Sequence, residues 1–153
     1  GCDACGIVVC GAAGGRIYVL EDASVAGLSP EGWSAAVAAA AARWNTVQVV
    51  AEANQGGAMV GSVLKAADDG LKVRLVHASR GKAARAEPVS LLFEKGRAVL
   101  AGLFGALEDE LAGMVAGGDY VGPGRSPDRA DAMVWAVTAL SESRSGVPRV
   151  VGL

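Results

Sequence analysis

Three carboxylates stand at positions where they could do chemistry. Glu52 closes the apolar stretch "TVQVVAEA" directly before the turn "NQGG". Asp128 and Asp131 fall three apart in "SPDRADAMVWA", at the start of a segment that is otherwise mostly apolar. Residues three apart on a helix share a face. A carboxylate at the end of a strand is either a solvated strand end or a group presented at the carboxyl edge of the sheet, where open α/β sheets bind ligands. If that strand end faces the helix start, Glu52, Asp128 and Asp131 form an oxygen-rich set suited to a hard divalent cation. Two such ions can activate water and stabilise the leaving oxygen in phosphodiester cleavage. The competing explanation is structural. Acidic residues in a first helical turn complement the helix dipole and cap free N–H groups. Asp128 fits that explanation easily, at N2 behind Ser126 as N-cap; Asp131, one turn deeper, fits it less well.

A second feature is basic. Residues 65 to 97 contain Lys65, Lys72, Arg74, Arg80, Lys82, Arg85, Lys95 and Arg97, eight of the chain's 14 basic residues, against four acids. "SRGKAAR" is the densest part. Such a run is ordinarily a solvated loop, and it is equally what a phosphate-holding surface needs. Arg125 and Arg129 could contribute from the far side of the same site. The lone His77 reads as a strand residue, and Trp33, Trp44 and Trp135 fall at helical positions expected in the core.

These groups must be positioned by the elements around them. "GIVVCGAAGGRIYVLEDAS" reads as two strands, 6–11 and 16–22, joined by a turn at Gly14 and Gly15. Ser29, Pro30 and Glu31 open an Ala-rich helix. "TVQVVAEA" is a third strand, followed by a helix over 58–68 and a fourth strand, "KVRLVHAS". "AEPVSLLFEKGR" is a helix stopped at Gly96; "LFGALEDELAGMV" is another, and the last spans 127–140. Strands alternating with helices predict an α/β domain, a mixed sheet covered by helices on both faces. One domain is expected over residues 1–145, with a Gly/Pro/Ser-rich, loosely held tail over 146–153.

Composition agrees. The 153 residues are 52% hydrophobic and 20% charged, with a net charge of -2, which fits a single globular domain and excludes a uniformly basic nucleic-acid coat. "AAVAAAAA" is too short to span a membrane, and no secretory signal is expected. Cys2 and Cys5 form an isolated C-x-x-C, short of the four ligands of a structural zinc site, so the three cysteines read as free thiols of a cytoplasmic protein.

"VVAEANQGG", "ASRGKAARAEPVSLLFEKGR", "FGALEDEL" and "SPDRADAMVWA" occur in this order and at similar spacing in a known family, and "DACGIVV" and "YVLEDASVAGLSPEGW" also fit it. The chain resembles the nuclease domain of large terminases of phages and gene transfer agents. That resemblance implies an RNase H-like fold and a Mg²⁺- or Mn²⁺-dependent, two-ion endonuclease that cuts concatemeric double-stranded DNA during packaging in the bacterial host cytoplasm. It implies Glu52 and Asp131 as metal ligands, with Asp128 beside them, and Arg80, Lys82, Arg85 and Arg129 as DNA contacts. It also implies an N-terminal ATPase domain, a small terminase and a portal or capsid as partners. The family's first catalytic Asp belongs to a "VDP"-type strand upstream of "DACGIVV", central to the sheet and not in this sequence; Asp3 is a poor substitute by motif. No G-x-x-x-x-G-K-[ST] of an ATPase is present. Two other readings remain: an RNase H-like module that has lost catalysis and docks DNA or a capsid, tolerating loss of Glu52, and a resolvase- or transposase-like nuclease, the resolvase dimeric and selective for branched DNA.

Overall fold

The Gly14–Gly15 turn folds as expected, because both residues adopt the left-handed conformation that a tight hairpin demands (φ 58° and 81°). In the computed structural model, which describes residues 4–53, 57–114, 119–124, 126–142 and 148–153, this turn joins β2 (Val8–Ala13) to β3 (Arg16–Asp22). A short β1 (Ala4–Cys5) pairs antiparallel with β4 (Val25–Ala26). Then come α1 (Pro30–Arg43), β5 (Gln48–Glu52), α2 (Gly57–Ala67), β6 (Lys72–Val76), α3 (Lys82–Glu94), β7 (Ala98–Leu100), α4 (Gly105–Met114), α5 (Asp128–Glu142) and β8 (Arg149–Gly152).

The main sheet has the order β6-β5-β8-β2-β3-β7. β5, β6 and β8 run parallel to one another, β2 is antiparallel to both β8 and β3, and β7 is parallel to β3. Strand alternation sends successive side chains to opposite faces, and two cores result. On one face Ile7, Val9, Val49 and Val151 meet Val37, Ala40 and Leu64 of α1 and α2. On the other, Val8, Cys10, Val19 and Val150 meet Val89, Leu107, Met133 and Val137 of α3, α4 and α5. The architecture is therefore α/β with helices on both faces, consistent with an RNase H-like fold.

Helix signals were legible at α1, where the Ser29 side chain accepts the Gly32 N–H, and at the end of α3, where Gly96 takes a positive φ. α3 begins four residues before the expected start, and Pro88 lies inside it.

The C-terminal segment differs most from expectation. Residues 149–152, assigned from their neighbours' composition to a loose tail, form β8 in the middle of the sheet. Val150 and Val151 are β-branched, as strands favour, and between β2 and β5 they are buried on opposite faces. Their backbone also supplies partners to two strands that do not pair with each other. Thr46 Oγ1 donates to the Arg149 carbonyl at 2.8 Å, and the Leu153 N–H to the Val50 carbonyl at 2.9 Å.

Candidate functional site

α5 carries Asp128 and Asp131, and its position is set by backbone contact. Gly152 of β8 packs so closely that an added Cβ would collide with the Ala132 carbonyl oxygen, and a Cβ on Gly6 would collide with that of Asp128. Since β2 is antiparallel to β5, Gly6, just before β2, lies at the edge where β5 ends. The start of α5 is thereby held over the carboxyl edge of β5. Glu110 of α4 caps the helix: its Oε1 accepts the N–H groups of Arg129 and Ala130 at 2.9 and 3.2 Å.

Asp131 is buried, 5% exposed. A charged carboxylate survives there only with compensation, and cationic side chains of α3 provide it. Arg85 Nη2 donates to Asp131 Oδ1 at 2.6 Å, while Arg85 Nη1 donates to the Arg80 carbonyl at 2.6 Å. The same guanidinium lies 4.9 Å from the ring centroid of Trp135, one turn along α5, a cation–π arrangement that helps hold it in place. Lys82 Nζ reaches Asp131 Oδ2 at 3.7 Å, Asp128 Oδ1 at 3.5 Å and Ser126 Oγ at 2.8 Å.

Glu52 is the last residue of β5. Val49 packs on the α1 side, whereas Val50 lines a groove with Trp135 and Thr138 of α5. By alternation, Glu52 is on the α5 face. Glu52, Asp128 and Asp131 thus share one edge and one face of the sheet. Among the described residues, however, no three acidic, His or Cys side chains gather closely enough to hold a metal ion. The oxygens are of the right chemistry for Mg²⁺ or Mn²⁺, but as arranged they do not fit a two-ion centre, because both Asp131 oxygens already face cationic side chains.

A family model described as a terminase RNase H-like domain matches residues 1–140. The chain belongs to that family. No curated protein matches it.

The basic residues of this terminase domain divide in two. Arg80 is exposed, as are Lys72 and Arg74 on the edge strand β6. Three of the expected DNA contacts are instead paired internally. Arg85 is turned inward onto Asp131, its side chain 9% exposed. Lys82 bridges α3 to the start of α5. Arg129 donates from Nε to Asp22 Oδ2 at 3.1 Å and from Nη1 to Glu110 Oε2 at 3.0 Å. Burial opposes the Arg129 charge, but the hydrogen bond to Glu110 and the charges of Asp22 and Glu110 outweigh it and hold its pKa above the ordinary value. The physical reason for the difference is common to all three. A helix packed over a sheet edge exposes the carboxylates of its neighbours to whichever cations lie nearest, and here these are intramolecular. Arg125, also expected near the site, lies outside the described residues, as do Cys2 and Asp3.

Sequence reasoning missed Glu110 and Asp22. "LEDEL" gave no sign of which acid faces inward. The period did hold a signal: Glu110 falls three residues after Leu107 and four before Met114, both buried, and so shares their stripe. His77 is exposed just beyond β6, and Trp33, Trp44 and Trp135 are each half-buried. Burial, and secondarily the charge of Asp128, pushes the Cys5 thiol up to about 11; burial alone raises Cys10 further. These are unreactive thiols. No helix among the described residues is long and apolar enough to cross a membrane.

Proposed function

We propose that this terminase domain is a metal-dependent DNA endonuclease module that cuts concatemeric double-stranded DNA during packaging into a phage or phage-like capsid. The observation that carries this reading is the placement of Glu52, Asp128 and Asp131 on one edge and one face of an RNase H-like sheet. Glu52 and Asp131 are the proposed metal ligands and Asp128 the supporting carboxylate, with Mg²⁺ or Mn²⁺ as cofactor. The exposed side chains of Arg80, Lys72 and Arg74 offer charge to DNA phosphates without reading bases. An ATPase motor domain, a small terminase and a portal are the proposed partners, in the cytoplasm of a bacterial host.

The test is cleavage of plasmid DNA with Mg²⁺, with Mn²⁺ and with EDTA, by this chain and by one to which a "VDP"-type strand has been added at the N-terminus. Cleavage that survives EDTA, or that is absent from both chains with either metal, overturns the reading. A second reading has one observation in its favour. The internal pairing of Asp131 with Arg85 suits a module that docks DNA or a capsid without cutting. Such a module would bind DNA, take up no divalent ion and tolerate Glu52→Gln.

A further inference from the structure

The mismatch between the donor set and a metal centre has a definite form. Asp131 is the buried carboxylate of the site, and its two oxygens face two different cationic side chains. Both belong to the first turn of α3, at Lys82 and Arg85, three residues apart and therefore on one face. This is more than a chance surface pairing. The Arg85 side chain is 9% and that of Asp131 7% exposed, Arg85 lies over the ring of Trp135, and its remaining end is anchored to the Arg80 carbonyl. Its Nε is buried and has no hydrogen-bond partner. An orphaned donor of that kind carries a free-energy penalty, so the guanidinium is held firmly but not ideally. Lys82, half-exposed and at 3.5 and 3.7 Å from Asp128 and Asp131, is the looser member.

We propose that the Lys82–Arg85 face of α3 is a cationic latch on Asp131. It supplies in the metal-free protein the positive charge that a divalent ion would supply, and a divalent ion enters only as Lys82 and Arg85 release that carboxylate. The proposal rests on the metal reading above and deepens it. Asp131 would otherwise be an uncompensated buried charge whenever the metal is absent, which folded proteins avoid. The latch removes that cost and sets a competition: what stabilises Asp131 without metal weakens its affinity for metal. It also links the site to the basic loop, because Arg85 is tied to the backbone of Arg80, the exposed residue that precedes α3.

The experiment compares Mn²⁺ binding by the unmodified chain and by Lys82→Met, measured as loss of the free-Mn²⁺ electron paramagnetic resonance signal. Lys82 is the substitution of choice because its half-exposed side chain can be shortened to a neutral one with little risk to folding. Binding about fivefold tighter in Lys82→Met is expected, which at 1.4 kcal/mol per tenfold corresponds to an ion-pair contribution of about 1 kcal/mol in a half-exposed setting. A second measurement follows Trp135 emission in a Trp33→Phe, Trp44→Phe background as Mg²⁺ is added. The emission should change as Arg85 leaves the ring. Equal Mn²⁺ affinity in the two chains, or Mg²⁺ binding with unaltered Trp135 emission, overturns the latch and leaves the metal reading standing. Absence of Mn²⁺ binding in both chains overturns the two together.

Discussion

Glu110 Oε1 stands 2.9 Å from the backbone nitrogen of Arg129, so a side chain of α4 satisfies buried donors at the start of α5. A helix leaves its first N–H groups without intrahelical partners, and a carboxylate is the strongest acceptor for them. The same residue binds the Arg129 side chain, and Arg129 in turn reaches Asp22 at the end of β3. The carboxylates of α5 are therefore held by a frame that spans α4, α5 and β3. Glu110→Ala should lower stability by about 2 kcal/mol through loss of the cap. Urea denaturation checks this, and a midpoint shift close to zero would show that water replaces the carboxylate.

Asp131 and Asp128 should separate by function. Asp131→Asn is expected to nearly abolish metal-dependent cleavage while DNA binding survives, since a neutral amide is a poor ligand for a hard cation. Asp128→Asn should reduce cleavage less, by weakening a supporting contact. Single-turnover cleavage beside a filter-binding assay measures both. The reverse order of severity would exchange the roles of ligand and support.

The Arg85–Asp131 pair should show strong coupling in a double-mutant cycle. Each single change, Arg85→Met or Asp131→Asn, leaves a buried partner without its nearest counter-charge and should cost about 3 kcal/mol. The double variant should recover part of that loss, giving an interaction term above about 1 kcal/mol in thermal or chemical denaturation. Additive losses would mean that the pair is solvated in solution.

DNA affinity should respond to Arg80 and not to Arg129. Arg80 is exposed, whereas Arg129 is spent on Asp22 and Glu110. Arg80→Ala is expected to weaken binding to any duplex and to reduce the salt dependence by about one ion. Arg129→Ala should lower stability and leave the salt slope of the folded protein unchanged. Equal slopes in the unmodified and Arg80→Ala chains would place the DNA path elsewhere.

A pH effect is expected at Glu21. The Arg43 hydrogen bond above all, with Trp44 Nε1 donating as well, holds the Glu21 pKa below the ordinary 4.5 against the opposing effect of burial. A group whose pKa is lowered on folding stabilises the fold above its unfolded pKa and loses that contribution as pH falls through the folded value. The stability difference between the unmodified chain and Glu21→Gln should be up to about 1 kcal/mol at neutral pH, limited by solvent screening. It should vanish on acidification below 4.5. A difference independent of pH would assign the effect to shape and not to charge.

The parts of this fold that were legible in the sequence are those fixed by local chemistry. The Gly14–Gly15 hairpin, the Ser29–Pro30 helix start and the apolar alternation through Val49 and Val50 each declare themselves within a few residues. The edge position of Glu52 and the helix-start position of Asp128 and Asp131 were legible for the same reason. What the sequence concealed depends on distant partners. Val150 and Val151 form a strand because β2 and β5 leave a place for them, and no window around them carries that information. Arg85 looked like a surface cation among others in "SRGKAAR". Only the packing of α3 against α5 decides that it faces Asp131, 46 residues away.

The central place of β8 has a consequence for how the chain is made. Val151 pairs with Val49 across two-thirds of the sequence, and among the described residues β8 alone joins the β5–β6 half of the sheet to the β2–β3–β7 half. Until residues 149–152 have left the ribosome, the two halves are separate ribbons, each with an unpaired inner edge. Contacts so distant in sequence form slowly, and open edges invite pairing with other chains. A nascent chain of this domain should therefore depend on chaperones until β8 has emerged, and should gain its resistance to protease in one step as β8 closes the sheet.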